Sequence, residues 1–260
     1  MQDLIVTTIQ THLFWEEVQQ NLNHLDKKIN DIVMPVDVIV LPEMFTTGFT
    51  MNPVKLAEEH DGKGLQWMQQ KSKEKNCLIL GSISVTHNGI FYNRLYCSKP
   101  DGTYEYYDKR HLFRMGNEQQ HYTAGDKKLI INYKGWKICP LVCYDLRFPV
   151  WSRNTKDNTF DVLIYVANWP EVRSYPWKQL LIARAIENQV YVVGVNRIGE
   201  DGNQIKHSGD TCIINPRGEV ISKTLAHEDE SETLTLSYNY LQEFRKLFPV
   251  MMDGDDFEIK

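Results

Sequence analysis

Seven short apolar runs, rich in valine and isoleucine, constrain this chain more than any other feature. They are LIVTTIQ (4–10), DVIVLPE (37–43), CLILGSISV (77–85), WKICPLVCYD (136–145), DVLIYVANWP (161–170), VYVVGVNRIG (190–199) and TCIINPRGEVI (211–221). Each is too short for a buried helix and too continuous for a strand with one wet face, so each reads as a strand covered on both sides. Helical spacing lies between several of them. Val18, Leu22, Leu25 and Ile29 recur at helical intervals within 14–31, and segments 63–75 and 176–189 repeat the pattern. The sequences HNG at 87–89 and RGE at 217–219 signal hairpin turns. Strand–helix alternation followed by strand pairs predicts an α/β protein with mixed sheets. With no compositional break, repeat or low-complexity segment, residues 1–260 are expected to form a single domain. The acidic tail MMDGDDFEIK carries no structural signal.

The charge balance of 29 basic against 34 acidic residues, net −5, lacks the basic footprint that nucleic acid requires. A small molecule is the expected partner. No run of about 18 apolar residues suggests a membrane span. The N-terminal stretch has an early acid and no basic region, and reads as a strand instead of a signal peptide. Cys77, Cys97, Cys139, Cys143 and Cys212 are odd in number and irregularly spaced, which predicts free thiols and a reducing, cytoplasmic setting.

Three run ends deliver reactive side chains, at positions where α/β sheets usually bind ligands. Glu43 follows Pro42, which breaks the strand ladder; its plainest role is an ion pair with a nearby base. Lys109 stands in a basic cluster with Arg110, His111 and Arg114 that suits a solvated loop, yet aromatics surround it. Cys143 ends an apolar run just where Tyr144, Asp145 and Arg147 turn the chain polar. A free cysteine is most often a small buried hydrophobe, and Cys139, four residues earlier, is expected to be that. At Cys143, backbone N–H groups and a short helix opened by Pro149 would favour a thiolate and an oxyanion. Histidines at 12, 24, 60, 87, 111, 121, 207 and 227 offer alternative bases, and none stands in a decisive signature. A zinc site finds no second Cys/His pair of fitting spacing. From the residues alone, the base stays open between carboxylate and histidine.

Taken together, LPEMF, YDKRHLF and VCYDLRFP resemble the Glu, Lys and Cys motifs of the nitrilase (carbon–nitrogen hydrolase) superfamily, in the same order. The similarity runs from Leu4 to about Leu236 and is closest to the omega-amidase branch. One stretch departs from the family pattern: Ser208-Gly209-Asp210-Thr211 stands where Gly-Ser-Ser-like sequences are common. The resemblance implies a four-layer α-β-β-α sandwich of two mixed sheets with helices outside, no metal, no organic cofactor, and a homodimer in which segment 176–189 could take part. It implies hydrolysis of the distal amide of 2-oxoglutaramate or 2-oxosuccinamate through a cysteine thioester. Cys143 would be the nucleophile and Glu43 the general base. Lys109 and the Tyr144 backbone N–H would hold the oxyanion, and Glu118 would be a second carboxylate near the lysine. Phe45, Tyr107, Phe148, Asn168 and Trp169 are expected to line the substrate pocket. Arg147 reads either as a buried arginine paired with an acid, the commoner role, or as the cation for a substrate carboxylate. A nitrilase proper, an N-carbamoyl-amino-acid hydrolase, a deaminated-glutathione amidase and a catalytically silent interaction protein are the alternatives.

Overall fold

The computed structural model describes residues 2–155, 158–255 and 257–259. In chain order the strands are β1 (Leu4–Gln10), β2 (Val38–Val40), β3 (Glu58–Glu59), β4 (Leu78–His87), β5 (Ile90–Ser98), β6 (Tyr104–Asp108), β7 (Ile131–Tyr133), β8 (Trp136–Val142), β9 (Val162–Ala167), β10 (Tyr191–Asn196), β11 (Ile198–Glu200), β12 (Lys206–Ser208), β13 (Cys212–Ile214) and β14 (Glu230–Leu236). The helices are α1 (Val18–Asn30), α2 (Pro53–Leu56), α3 (Lys63–Lys75), α4 (Ser174–Asn188) and α5 (Tyr238–Leu247). One sheet has the order β14-β1-β2-β4-β5-β6, with β3 beside β4; the other has the order β13-β10-β9-β8-β7, and β11–β12 form a separate ribbon. Both large sheets mix directions: β1, β2 and β4 are parallel, with β3 parallel to β4, as are β8, β9 and β10, while the remaining strands pair antiparallel.

Alternation along each strand explains the layers. Leu4, Val6, Val38, Val40, Leu78, Leu80, Leu95 and Cys97 point to the core shared with the second sheet. Their neighbours Ile9, Ile39, Ile79, Ile83 and Tyr96 point outward, against Leu22, Leu25 and Ile29 of α1 and Leu65 and Met68 of α3. Burial on both faces is why the strands read as continuous apolar runs. On the far side, α4 lays Trp177, Leu181 and Ala185 on the second sheet. Gly194 permits this approach, since a Cβ there would meet Leu181 at 2.5 Å. Full burial of Leu181 alone contributes about 1.5–3 kcal/mol. The fold is the expected α-β-β-α sandwich.

The structure revises several boundaries. The helix expected over 14–31 starts only at Val18, because Phe14 instead donates its N–H to, and accepts from, the Asn21 side chain at 2.8 and 2.7 Å. The run 190–199 breaks at Arg197 into β10 and β11, and 211–221 holds one short strand before its hairpin. HNG does turn as expected, with Asn88 and Gly89 both at positive φ. Among the described residues no helix is long and apolar enough to cross a membrane.

Candidate active site

Four chain segments leave the two sheets towards one cavity. After β2, Met44 adopts φ 42°, and its N–H donates to Ser82 Oγ at 2.8 Å, turning Glu43 into the interior. After β6, the Lys109 N–H donates to the Asn93 carbonyl, and its own carbonyl accepts from Gly125, both at 3.0 Å. Gly125 is required there: a Cβ would lie 2.3 Å from the Asp108 carbonyl oxygen. After β9 comes Asn168, whose side-chain amide donates to the Glu43 carbonyl at 2.5 Å.

At the end of β8, Cys143 takes φ 42°, a left-handed conformation uncommon for a residue with a side chain. It opens a 3-10 turn over Cys143–Arg147, which stops before Pro149; the helix expected to start at Pro149 does not form. The buried Asp145 carboxylate holds this sharp turn. It accepts from the Val142 N–H at 3.0 Å and the Tyr107 hydroxyl at 2.8 Å on one oxygen, and from the His111 N–H and ring Nδ1 at 3.0 and 2.8 Å on the other. The cysteine turn is thereby tied to the lysine loop. From the other side, Arg184 of α4 donates to the Leu146 carbonyl at 2.7 Å.

Glu43, Lys109 and Glu118 are fully buried together. Lys109 Nζ donates to Glu43 Oε1 at 2.8 Å and to the two Glu118 oxygens at 3.0 and 2.9 Å. Asn93 Nδ2 donates to both carboxylates, at 2.8 and 3.0 Å. The Asn168 N–H reaches Glu43 Oε2 at 2.8 Å, and the Phe113 N–H reaches Glu118 Oε2 at 2.6 Å. Burial works against the charge on Lys109, but Glu118 and Glu43 outweigh it and hold the ammonium well above its ordinary range. Burial raises Glu118 above the usual carboxylate range, with Glu43 adding to the rise and Lys109 opposing it.

The Cys143 thiol is pushed well above its ordinary value by burial and by Glu43 beside it, against Lys109 and the Asn168 N–H. The turn that was expected to favour a thiolate does not outweigh burial. A 3-10 turn of five residues supplies too little dipole to reverse the cost of burial, and the helpful N–H comes from the Asn168 loop. The thiol instead rests protonated with a base next to it. Cys139 lies fully buried in β8, as expected, and burial pushes its thiol up to about 12.

The cavity has a volume of about 560 Å³. Lys109, Cys143, Tyr144, Arg147, Asn168 and Trp169 line it, so these sequence candidates do share one site. Glu43 and Glu118 are bonded to Lys109 but fully buried and do not line it, and three further candidates do not reach it either. Phe45 is buried over Gly81, against Trp67, because it faces the helix-covered side of its sheet. Tyr107 is locked by its hydroxyl, which donates to Asp145 and accepts from Trp151 Nε1 and the Arg110 N–H. Phe148 stacks on His111 at 3.7 Å between ring centroids, which turns it from the cavity. Arg147 is half-buried, not buried and paired. Its guanidinium lies 5.0 Å from the Trp169 ring centre, with no acidic partner among the described residues.

Phe113, one of the aromatics expected around Lys109, does line the rim, but sequence reasoning missed most of the rest: Phe49, Met51, Met115, Arg173, Asp201 and residues 203–207. These sit in loops, single 3-10 turns and one short ribbon strand, none long enough to show periodicity. Asn93 was also missed. A polar pair, Asn93-Arg94, in the middle of an otherwise apolar strand was the available signal.

The profile of a family described as "Carbon-nitrogen hydrolase" matches residues 5–246. The chain is 46% identical over 259 residues to omega-amidase YafV of Escherichia coli strain K12, covering 100% of both chains. It is 31% identical over 251 residues to the 2-oxoglutaramate amidase of Bacillus subtilis strain 168, covering 95% of this chain and 96% of that one. A solved CN-hydrolase superfamily protein from Xanthomonas campestris, with an arsenic adduct in its active site, superposes with a TM-score of 0.97 at 40% identity over 100% of both chains. Nit3 of Saccharomyces cerevisiae shares the fold, with a TM-score of 0.84, 20% identity, and coverage of 96% and 95%.

Proposed function

We propose a substrate and a mechanism for this chain, which belongs to the carbon–nitrogen hydrolase family of the nitrilase superfamily and is a cysteine-dependent amidase of the omega-amidase branch. It hydrolyses the distal amide of small 2-oxo-dicarboxylic acid monoamides, 2-oxoglutaramate and 2-oxosuccinamate, to the 2-oxo acid and ammonia. The observation that carries this reading is the convergence of Glu43, Lys109 and Cys143 from three separate strand ends: Lys109 and Cys143 line one cavity, and the buried Glu43 is paired with Lys109 and lies beside Cys143.

Cys143 Sγ attacks the amide carbon as Glu43 takes the thiol proton. Attack concerted with proton transfer suits a thiol that burial keeps neutral. Lys109 and the Tyr144 backbone N–H face the developing oxyanion; Tyr144 lies in the first turn of its 3-10 segment, where an N–H has no intrahelical acceptor. One such donor contributes about 3–4 kcal/mol. Glu43 then protonates the departing nitrogen, the C–N bond breaks, and ammonia leaves a thioester. Water, deprotonated by Glu43, attacks the thioester carbon; the C–S bond breaks and the thiol recovers its proton. Glu118 keeps Lys109 charged and in place. The substrate carboxylate meets Arg147, whose guanidinium is held over Trp169 with its donors unclaimed by any acid among the described residues.

Further readings belong to the same proposal. Residues 1–260 form one catalytic domain, a reading supported by the antiparallel pairing of β1 with β14. Subunits pair through the outer face of α4, where Tyr175 is exposed. Five free thiols suit the cytoplasm. Ammonia release from 2-oxoglutaramate, 2-oxosuccinamate, a simple nitrile, an N-carbamoyl amino acid and a deaminated peptide tests the substrate. The two 2-oxo amides should give the highest kcat/KM. Faster turnover of any of the others would overturn the assignment.

A further inference from the structure

We infer that Asn93 is a positioning residue for the proton transfer, fixing which oxygen of Glu43 faces the sulfur. The inference rests on the reading of Glu43 as the base. Asn93 lies in the middle of β5, fully buried, where a strand facing a core would ordinarily carry an apolar side chain. Its NH₂ group stands between two carboxylates, 2.8 Å from Glu43 Oε1 and 3.0 Å from Glu118 Oε1. Only the nitrogen can occupy that position, since an amide oxygen there would repel both. Its Oδ1 is left without a partner, a cost tolerated for the sake of the two donated bonds.

The consequence follows from counting lone pairs. Glu43 Oε1 already accepts from Lys109 and from Asn93. Both of its in-plane acceptor directions are taken, so an arriving proton goes to Oε2. Oε2 accepts one bond, from the Asn168 N–H, and keeps one lone pair. That lone pair receives the thiol proton and later returns it to the leaving nitrogen. The second N–H of Asn93 orders Glu118 in the same stroke, so one amide sets the geometry of both carboxylates around Lys109. The Asn93 carbonyl also accepts the Lys109 N–H, fixing the lysine's backbone to the same residue.

Asn93 donates to the carboxylate form of Glu43, and its loss removes one of the three bonds that favour that form. The other charged or titratable groups facing Glu43 are Lys109, Glu118, Cys143 and Tyr122; of these only Glu118 also loses a bond from Asn93 on substitution. Two substitutions test the idea. Asn93→Leu keeps the volume and removes both donors; Asn93→Ser keeps one short donor. The first readout needs no substrate: the rate of Cys143 alkylation by iodoacetamide against pH, followed by mass spectrometry. In Asn93→Leu the acid limb should move to higher pH by about one unit, and in Asn93→Ser by less. The second readout is turnover of 2-oxoglutaramate, with kcat expected to fall roughly tenfold to a hundredfold and KM to change less than threefold. If Asn93→Leu does not fold, the serine variant must still show the smaller shift in the same direction. An unmoved acid limb in a folded variant overturns the inference, whatever happens to kcat. If the wild-type protein does not turn over 2-oxoglutaramate, the proposed substrate fails, while the alkylation profile still decides the role of Asn93.

Discussion

The floor of the cavity and its rim are built on opposite principles. At the floor Lys109 lines the cavity and Glu43, Glu118 and Asn93 lie beneath it; all four are fully buried, and every oxygen of the two carboxylates accepts at least one bond. A network of this kind has one low-energy arrangement, because any rotation leaves a buried charge without a partner. At the rim, Arg147 and Arg173 lie over the faces of Trp169 and Phe113, at 5.0 and 5.4 Å from the ring centres, and are held by no carboxylate among the described residues. Their positive charge is available to a ligand. The contrast separates the two tasks: the floor fixes the reacting atoms, whereas the rim meets the rest of the substrate. Substitutions on the floor should therefore act on kcat, and those on the rim on KM.

The largest effect is expected at the sulfur. Cys143→Ala should abolish ammonia release while leaving the circular dichroism spectrum and thermal midpoint near the wild type; near-normal turnover would end the assignment. Glu43→Gln comes next. It keeps the shape of the side chain but cannot take the thiol proton, so acylation should slow by roughly a hundredfold to ten-thousandfold. Mass spectrometry after mixing with substrate should find the variant unmodified, and rapid appearance of an acyl adduct would contradict the role. Asp145→Asn tests the mount beneath the nucleophile. The amide presents a donor where the carboxylate accepted several bonds. Stability should fall by about 1.5–3 kcal/mol. kcat should drop roughly tenfold to a hundredfold with KM little changed, since a shift of an ångström at the sulfur is enough. A variant as unstable as this but with undiminished kcat would show that the clamp serves folding alone.

The floor was far more legible in the sequence than the rim, and the reason is physical. Glu43 and Cys143 each stand just past an apolar run, so a buried strand announces the reactive residue that follows it, whereas Lys109 follows the part-exposed edge strand β6 and is marked by the aromatics around it. Side-chain direction is harder to read. Phe45 lies only two residues beyond Glu43, yet faces the helix side of the sheet, and Tyr107 spends its hydroxyl inside the Asp145 network. Residues 43–47 form a turn with Met44 at φ 42°, so the two-residue period that would put Glu43 and Phe45 on one face does not hold there, and sequence gives the type of residue before it gives its orientation. β14 was missed for a related reason. As the edge strand Glu230–Leu236 it is mostly polar, with only Leu234 and Leu236 facing the core. Asp201 and residues 203–207 reach the cavity through tertiary placement alone, which no local pattern encodes.

Rim substitutions should be weaker and should divide between the two arginines. Arg147→Met keeps the contact with Trp169 and removes the charge. If the guanidinium meets the substrate carboxylate, about 1.5–3 kcal/mol of binding is lost, and KM for 2-oxoglutaramate rises roughly tenfold to a hundredfold with kcat nearly constant. Arg173→Met should raise KM by no more than about fivefold, as expected of a more solvated charge. A larger effect at Arg173 than at Arg147 would reverse their assignment.

The smallest effect on the reaction is expected from Phe45→Leu, which tests where the boundary of the site runs. Phe45 packs against Trp67, with ring centres 5.6 Å apart, on the outer face of the sheet and away from the cavity. Shortening it leaves a gap over Gly81, whose hydrogen faces the ring because any Cβ there would strike it at 2.8 Å. The loss should appear as about 1–3 kcal/mol of stability in a urea titration. KM should stay within experimental error of the wild type, because no ligand in the cavity touches that ring. A raised KM at unchanged stability would mean that Phe45 contacts the substrate, and that the separation between packed floor and open rim is drawn in the wrong place.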